Sequence, residues 1–345
     1  MSIPLYPLTF EPVYKDYVWG GQRMRTVLGR PLPPGVYAEA WELADRPEGM
    51  SRVKAGPLAG TTLGELVQRA GTHLTGIAAP RGPFPLILKI LDVAQRASLQ
   101  VHPRSSDPWA SEARDSCGDR LPSRGRGEAK TELWYALDGM EDGRIFAGLN
   151  PGVLQADFED ALRRKQVETV LRSLPVRPGD AFYIPGGRVH AIDQGCLFLE
   201  IQQNSNTTYR VYDWDRHDAR ALHVDEAFRT IDWQDHESAR VLPSLLSGEE
   251  GLERWLIHEC PYFRVERWSL STRRSAGAER CSFRLLFVLA GRILVSGGGE
   301  EAMLNAGETC LLPAALDAWC LVPDGDRPTG SGAPPVAAEF LLITL

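Results

Sequence analysis

Gly179-Asp180-Ala181-Phe182-Tyr183-Ile184-Pro185-Gly186-Gly187-Arg188-Val189-His190 runs from an apolar, aromatic segment through a Pro-Gly-Gly turn to a single histidine. Ala181 to Ile184 suits a strand, and Pro185-Gly186-Gly187 ends it. The histidine opens another apolar run. Strand, Gly/Pro bend and histidine is one way for a β-barrel to aim an imidazole into its mouth. A plain hairpin with a surface histidine fits the same residues, and the stretch alone leaves both readings open.

The C-terminal region echoes this stretch. Gly179 is followed six residues later by Pro185, and Gly307 six residues later by Pro313. Upstream, Trp134-Tyr135-Ala136-Leu137-Asp138-Gly139 parallels Phe287-Val288-Leu289-Ala290-Gly291. Two copies of one β-barrel unit account for the echo. The expected fold is mainly β with helical insertions, in two jelly-roll β-barrel domains over residues 1–245 and 246–345. After Pro313 come Ala314-Ala315-Leu316-Asp317, with no histidine, so the second copy is expected to be degenerate and metal-free.

Working outward from His190, polar residues recur inside otherwise apolar strands. Ser98, Gln100 and His102 alternate with Leu99 and Val101, which places them on one face of a strand. That face is either a site or a solvent-facing edge. Lys130 and Glu132 share a face just before a strongly apolar run. Pro85 to Leu91 reads as a buried strand interrupted by Lys89, one of only five lysines. An unpaired ammonium in a core costs several kcal/mol. Lys89 therefore either snorkels to solvent or faces a polar cavity. Glu200 lies in a strand-like run and Arg210 opens another, with polar Asn204 to Thr208 between them as a turn or a substrate-facing rim. Glu39-Ala40-Trp41-Glu42-Leu43 alternates in the manner of a strand, and its two glutamates read mainly as exposed strand polars, with a functional role as the other reading.

The remaining segments are less informative. Tyr17-Val18-Trp19-Gly20-Gly21 reads as a strand ending in a glycine turn. Thr62-Leu63-Gly64-Glu65 fits a capping box, predicting a helix that stops before Gly71. Leu154, Phe158, Ala161 and Leu162 fall at helical spacing, and a second helix is expected through Val167, Val170 and Leu171. Residues 104–128 read as a polar loop, 215–250 as charged helix and loop, and Thr329 to Pro335 as a loop.

Composition bounds what the chain can do. At 345 residues, 43% hydrophobic and 24% charged, it is long enough for a sizeable core. A net charge of −7 without a basic run argues against nucleic-acid binding, while leaving room for a local cationic cluster that takes an anionic small molecule. The six cysteines form no C-x-x-C pair, so zinc-ribbon and thioredoxin-like readings lack support and a reducing compartment is expected. No signal peptide and no apolar run near the roughly 20 residues of a membrane helix are seen. The expectation is a cytoplasmic protein without membrane partners. The oligomeric state is not legible.

Gln100, His102, Glu132 and His190 come from three separate strand-like segments. Two imidazoles, a carboxylate and an amide oxygen make a mixed N/O set suited to a divalent metal, most simply Zn²⁺. Gly179-x5-Pro185-x-Gly187-x2-His190 matches the second cupin motif. Together with Gln100-Val101-His102-Pro103, Lys130-Thr131-Glu132 and Tyr209-Arg210-Val211-Tyr212-Asp213, it resembles class I mannose-6-phosphate isomerases in their short bacterial form. The resemblance runs from about Tyr17 to Trp214, and the Gly–Pro echo extends it to a second cupin domain.

The resemblance implies zinc held by Gln100, His102, Glu132 and His190. It implies an active-site arginine at Arg210, an acid at Glu200, and sugar-phosphate contacts at Ser98, Lys89 and Lys130. The implied reaction interconverts mannose 6-phosphate and fructose 6-phosphate by proton transfer between C1 and C2, through an enediol(ate), with Glu200 ranked ahead of Lys130 as proton carrier. Two departures stand out. Gly186-Gly187-Arg188 replaces the usual Ala-Gly-Thr, and Arg104-Ser105-Ser106 replaces usually acidic residues. The competing readings are another metallocupin enzyme, such as an iron oxygenase, and a sugar-phosphate sensor without catalysis.

Overall fold

The computed structural model describes residues 3–107, 127–216, 220–277, 280–324 and 337–345. Cys117, most of the 104–128 stretch and the Thr329–Pro335 segment lie outside the described residues. Two compact units emerge, and they do not follow chain order. One contains Tyr14–Ala40 and Ile87–Val241; the other contains the described residues up to Val13 together with Trp41–Leu86 and Leu242–Leu345.

Two antiparallel sheets carry the site. The larger runs Arg240–Val241, Ala181–Ile184, Glu132–Gly139, Cys196–Gln203, Leu86–Val93, Glu39–Leu43, Val13–Lys15. The smaller runs Tyr209–Tyr212, Leu99–Val101, His190–Ile192, Arg144–Leu149, Leu171–Pro175. One buried cluster draws Trp134, Ala136, Phe182, Ile184 and Phe198 from the larger sheet and Ile145, Ala147 and Ile192 from the smaller. The two sheets are thus the walls of a jelly roll with a shared interior. Alternation sends Phe146 and Ala191 to the opposite face of the smaller sheet, where they join Phe158 and Ala227 in a second cluster. Phe158 belongs to helix Gln155–Arg163 and Ala227 to helix Val224–Thr230, so these helices cover that face.

The other unit repeats the plan. Its six-stranded sheet runs Ser244–Glu249, Leu252–Glu259, Arg264–Leu270, Ala338–Thr344, Arg284–Ala290, Thr309–Leu312. Its four-stranded sheet runs Arg274–Gly277, Ala318–Pro323, Arg292–Gly297, Glu300–Asn305. Leu286, Val288, Ile293, Val295, Cys310, Leu312, Leu321 and Phe340 fill its interior. The expected division at 245/246 follows the chain, whereas this unit also recruits early segments. Leu8 and Leu311 exchange both backbone hydrogen bonds, at 2.9 and 2.8 Å. Phe10–Glu11 pairs with Arg52–Val53. Such long-range pairings leave no local mark on sequence.

Several expected elements form as read. Thr62 caps helix Leu63–Ala70 in a capping box with Glu65, and Gly71 ends it. Others differ. Tyr17 to Gly21 is a turn in which the Gly20 N–H bonds the Tyr17 carbonyl at 2.9 Å, and Tyr17 and Val18 are exposed. Val167–Val170 is a single 3₁₀ turn, and Leu171 starts a strand. Leu154 precedes its helix as an exposed N-cap rather than lying on the buried face. Arg240–Val241 and Ser244–Glu249 are strands within the stretch expected as helix and loop. Ser244–Glu249 pairs on one side only and is largely exposed, so no burial imposes alternation on it.

Candidate active site

Lys89 marks the site from the larger sheet. Its strand is buried throughout, yet the ammonium finds Glu200 at 3.4 Å and Glu39 at 3.6 Å. Both partners come from the strands flanking Leu86–Val93. The lysine does not snorkel; it faces a polar interior wall. Glu39 shares that wall, and Glu42 is buried, so neither is an exposed strand polar. One strand further over, Trp134 lies opposite Glu200 and Glu132 opposite Gln202.

The smaller sheet brings the other half. His190 lies directly opposite Gln100, and Gln100 opposite Arg210 on its other side. This register aligns three polar residues across three strands. Ser98 links them: its hydroxyl donates to Gln100 Oε1 at 3.3 Å and accepts from Arg210 Nε at 3.2 Å. The face carrying Ser98, Gln100 and His102 is a site face and not a solvent edge.

His102, Glu132 and His190 converge, with donor atoms all within 4.8 Å of one another and all three side chains buried. The His102 Nδ1 lies 2.8 Å from the Thr207 carbonyl, and the His190 Nδ1 lies 2.8 Å from the Arg188 carbonyl. A carbonyl only accepts, so each Nδ1 carries the proton and each Nε2 keeps its lone pair. Both lone pairs belong to the convergent group. A protein fixes its metal-ligating histidines in this manner. Glu132 Oε2 accepts from the Trp134 indole at 3.0 Å. Its Oε1 pairs with Lys130 and lies 3.2 Å from His102 Nε2, without a well-aligned hydrogen bond from either. Two imine nitrogens and an under-coordinated carboxylate oxygen match the donor set of a divalent cation.

The turn before His190 depends on two glycines. A Cβ on Gly186 would sit 2.5 Å from the Pro103 carbonyl oxygen, and Gly187 has φ +89°. The Gly187 N–H bonds the His102 carbonyl at 2.8 Å, tying the two histidine segments together. Arg188, the unusual residue of this turn, points away from the centre and forms a bidentate pair with Asp235.

A cavity of about 380 Å³ opens above these groups. Its lining includes Lys89, Lys130, Glu200 and His190, together with Arg210 and Arg220.

Comparison with known proteins now bears on this geometry. A curated relative from Bacillus subtilis, mannose-6-phosphate isomerase ManA, is 35% identical over 323 residues, covering 90% of this chain and 94% of its own. The chain belongs to the mannose-6-phosphate isomerase family. A mannose-6-phosphate isomerase of Streptococcus mutans is 32% identical, covering 93% and 96%. The family model for the phosphomannose isomerase type I catalytic domain matches residues 8–119, and that for the mannose-6-phosphate isomerase cupin domain matches 255–325. The crystal structure of a B. subtilis mannose 6-phosphate isomerase superposes with TM-score 0.81 at 28% identity, covering 98% of this chain and 99% of that one. A mannose 6-phosphate isomerase described as bound with zinc and yttrium shares the fold at 16% identity, with TM-score 0.70, covering 97% and 98%. The chain is accordingly a mannose-6-phosphate isomerase by family and a two-cupin protein by fold.

In this isomerase the carboxyls of Glu132 and Glu200 are tuned apart. Burial pushes the Glu132 carboxyl up, but the Lys130 ammonium outweighs burial and holds it well below the usual range. Burial and then the neighbouring Glu132 charge raise Glu200. Burial, followed by the proximity of His102, takes His190 down to about 3. Burial and Lys130 lower His102 as well. Burial works against the Lys89 charge, yet Glu39 and Glu200 keep it firmly protonated.

Trp134 is one site residue that sequence reading missed. Its indole stands between both acids, 3.0 Å from Glu132 and 3.2 Å from Glu200. The signal was available, since Glu132 and Trp134 share a strand face. Arg220 and His223 were also missed, because they sit in an irregular segment where no period applies. No helix among the described residues is long and apolar enough to cross a membrane.

Proposed function

We propose that this isomerase interconverts mannose 6-phosphate and fructose 6-phosphate with Zn²⁺ held by Gln100, His102, Glu132 and His190. The observation that carries the reading is the convergence of two histidines and one carboxylate in a buried group, of which His190 also lines the cavity. Gln100 completes the set. Its Nε2 stands 3.3 Å from His190 Nε2, and rotating the amide would turn its oxygen inward. When bound, the metal supplies Lewis-acid stabilisation of charge on the sugar oxygens. The zinc-bound family structure supports this choice of metal.

The protein's own groups handle the proton and the phosphate. Glu200 moves the proton between C1 and C2; its raised pKa suits a base working near neutral pH. Lys89 holds that carboxylate in place. Lys130, pinned to Glu132, orients the sugar oxygens. Arg210, with Ser98 on its Nε, binds phosphate or developing negative charge, for which the planar guanidinium is suited. Residues 246–345 form a domain without metal, because other side chains stand at the ligand positions. The free thiols of Cys196, Cys281, Cys310 and Cys320 support a reducing, cytoplasmic setting.

The test is a coupled assay with mannose 6-phosphate, run with and without chelator. Turnover should vanish on chelation and return with Zn²⁺. Stoichiometric iron in the purified protein would overturn the choice of metal. Arg210→Ala should cripple turnover and leave metal content intact; wild-type turnover in that variant would remove its role.

A further inference from the structure

We infer that Arg188, through its pair with Asp235, is a positioning residue that sets the tautomer of His190 and thereby the affinity of the centre for metal. The inference rests on the proposed function for the word metal, though not for the geometry.

Arg188 is 4% exposed, and a guanidinium so buried must be compensated. Its Nε and Nη2 each donate to one oxygen of Asp235 at 2.6 Å. Its Nη1 donates to the Tyr183 carbonyl at 2.9 Å. A fork bound on two edges fixes the guanidinium plane. The residue's own N–H bonds the Pro185 carbonyl at 3.1 Å. The backbone of Arg188 is therefore held at its amide and at the end of its side chain. What remains is its carbonyl, aimed at His190 Nδ1 at 2.8 Å.

Asp235 is itself anchored to the same turn. The Asp232 N–H bonds the Gly187 carbonyl at 2.8 Å, and the Asp235 N–H bonds the Asp232 carbonyl at 3.1 Å. The clamp thus closes on both residues that precede Val189 and His190. His102 has a different support. Its carbonyl partner Thr207 is tied through Ser205 Oγ, which accepts from the Thr207 N–H at 3.2 Å, and through Thr207 Oγ1, which accepts from the Glu128 N–H at 2.9 Å. The turn also holds the His102 carbonyl through the Gly187 N–H at 2.8 Å, but the His102 imidazole has its own support, so loosening the clamp should disturb the His190 tautomer more than that of His102.

Arg188→Lys keeps the charge and removes the fork; Asp235→Asn keeps the shape and removes the charge; Asp235→Glu keeps the carboxylate. Two measurements are made on each full-length protein: Zn²⁺ affinity by competition with a chromophoric chelator, and long-range ¹H–¹⁵N NMR of the histidines in the metal-free state. Loss of an outer-shell partner of a ligating histidine weakens metal binding by about 10–100-fold. Arg188→Lys and Asp235→Asn should show that loss, with His190 no longer a single Nδ1–H tautomer and His102 changed less. Asp235→Glu should recover most of the affinity. The inference is overturned if Arg188→Lys and Asp235→Asn, with folded spectra, keep a single His190 tautomer, or if His102 changes to the same extent. Should the wild type take up no Zn²⁺, the proposed function fails while the tautomer measurement still decides the clamp.

Discussion

In two strands of this protein a tryptophan indole donates to the carboxylate of the glutamate two residues before it. Trp134 reaches Glu132 at 3.0 Å and Trp268 reaches Glu266 at 2.9 Å. Their surroundings then diverge. Glu266 Oε1 accepts from Arg264 at 2.8 Å, and its Oε2 accepts from Arg254 at 2.9 Å, so both oxygens are satisfied. Glu132 instead meets two imidazoles that present lone pairs, and its Oε1 lacks a well-aligned donor. Guanidinium groups complete Glu266 as a structural tie; around Glu132 one ammonium, that of Lys130, and two imidazole lone pairs leave its Oε1 without a well-aligned hydrogen bond.

Register sharpens the contrast. Glu132 lies opposite Ile184, the residue before Pro185; Arg284 lies opposite Leu312, the residue before Pro313. The second unit therefore has an arginine at the place of Glu132. Glu200 lies opposite Trp134, whereas Leu342 lies opposite Leu286 at the matching step. Gln100 faces His190, and Gly277 faces Ala318, the fifth residue after Pro313. A cationic guanidinium, a leucine, a glycine and an alanine offer no donor set.

The largest expected effect comes from breaking the centre itself. Glu132→Ala should lose metal and, with it, several kcal/mol of transition-state stabilisation, on the order of 10³-fold or more in kcat/KM. Metal analysis beside the coupled assay checks it; retained metal with full activity would erase the contrast with Glu266. Next comes Glu200→Gln, which should lower kcat by roughly 10²–10³-fold as a general base is removed. Bound metal should stay near the wild-type level, and loss of metal instead would make Glu200 a structural partner of the centre.

Glu266→Gln should do the opposite, costing about 1–3 kcal/mol of stability with kcat unchanged, since its arginine partners are partly exposed. Burial raises the Glu266 pKa, but the hydrogen bonds from Arg264, Trp268 and Arg254 lower it more. Its folded value thus lies below the unfolded one of about 4.3. The stabilisation is present above that pH and lost as pH falls through the folded value. Thermal melts below about pH 4.3 should therefore show the difference between wild type and Glu266→Gln shrinking. An undiminished difference there would contradict the charge argument. The smallest effect belongs to Thr62→Ala, which removes half of a capping box far in sequence from any ligand. About 1 kcal/mol of stability should go, with kcat and KM unaffected.

Much of the site was legible because strands alternate. Ser98, Gln100 and His102 stand out as polar residues sharing one face beside apolar Leu99 and Val101, and Lys89 stands out as a charge inside a hydrophobic run. Glu39 was less legible: a glutamate on a short strand looks alike whether it faces water or a lysine on the next strand. Trp134 hid for a related reason, since a tryptophan in an apolar strand is ordinarily core. Arg188 was visible as an odd residue, but its partner lies 47 positions away.

The sequence alone determined the strand periods, the duplicated Gly–Pro turns, the capping box and the residue types able to bind a metal, because each is written in neighbours a few positions apart. The tertiary structure decided which of those residues meet. It paired Lys89 with Glu39 and Glu200, gave both histidines their tautomers, seated Arg188 on Asp235 and gathered three separate stretches of chain into the second unit. Those outcomes depend on sheet register and long-range closure, and a one-dimensional pattern does not record the distance across a barrel.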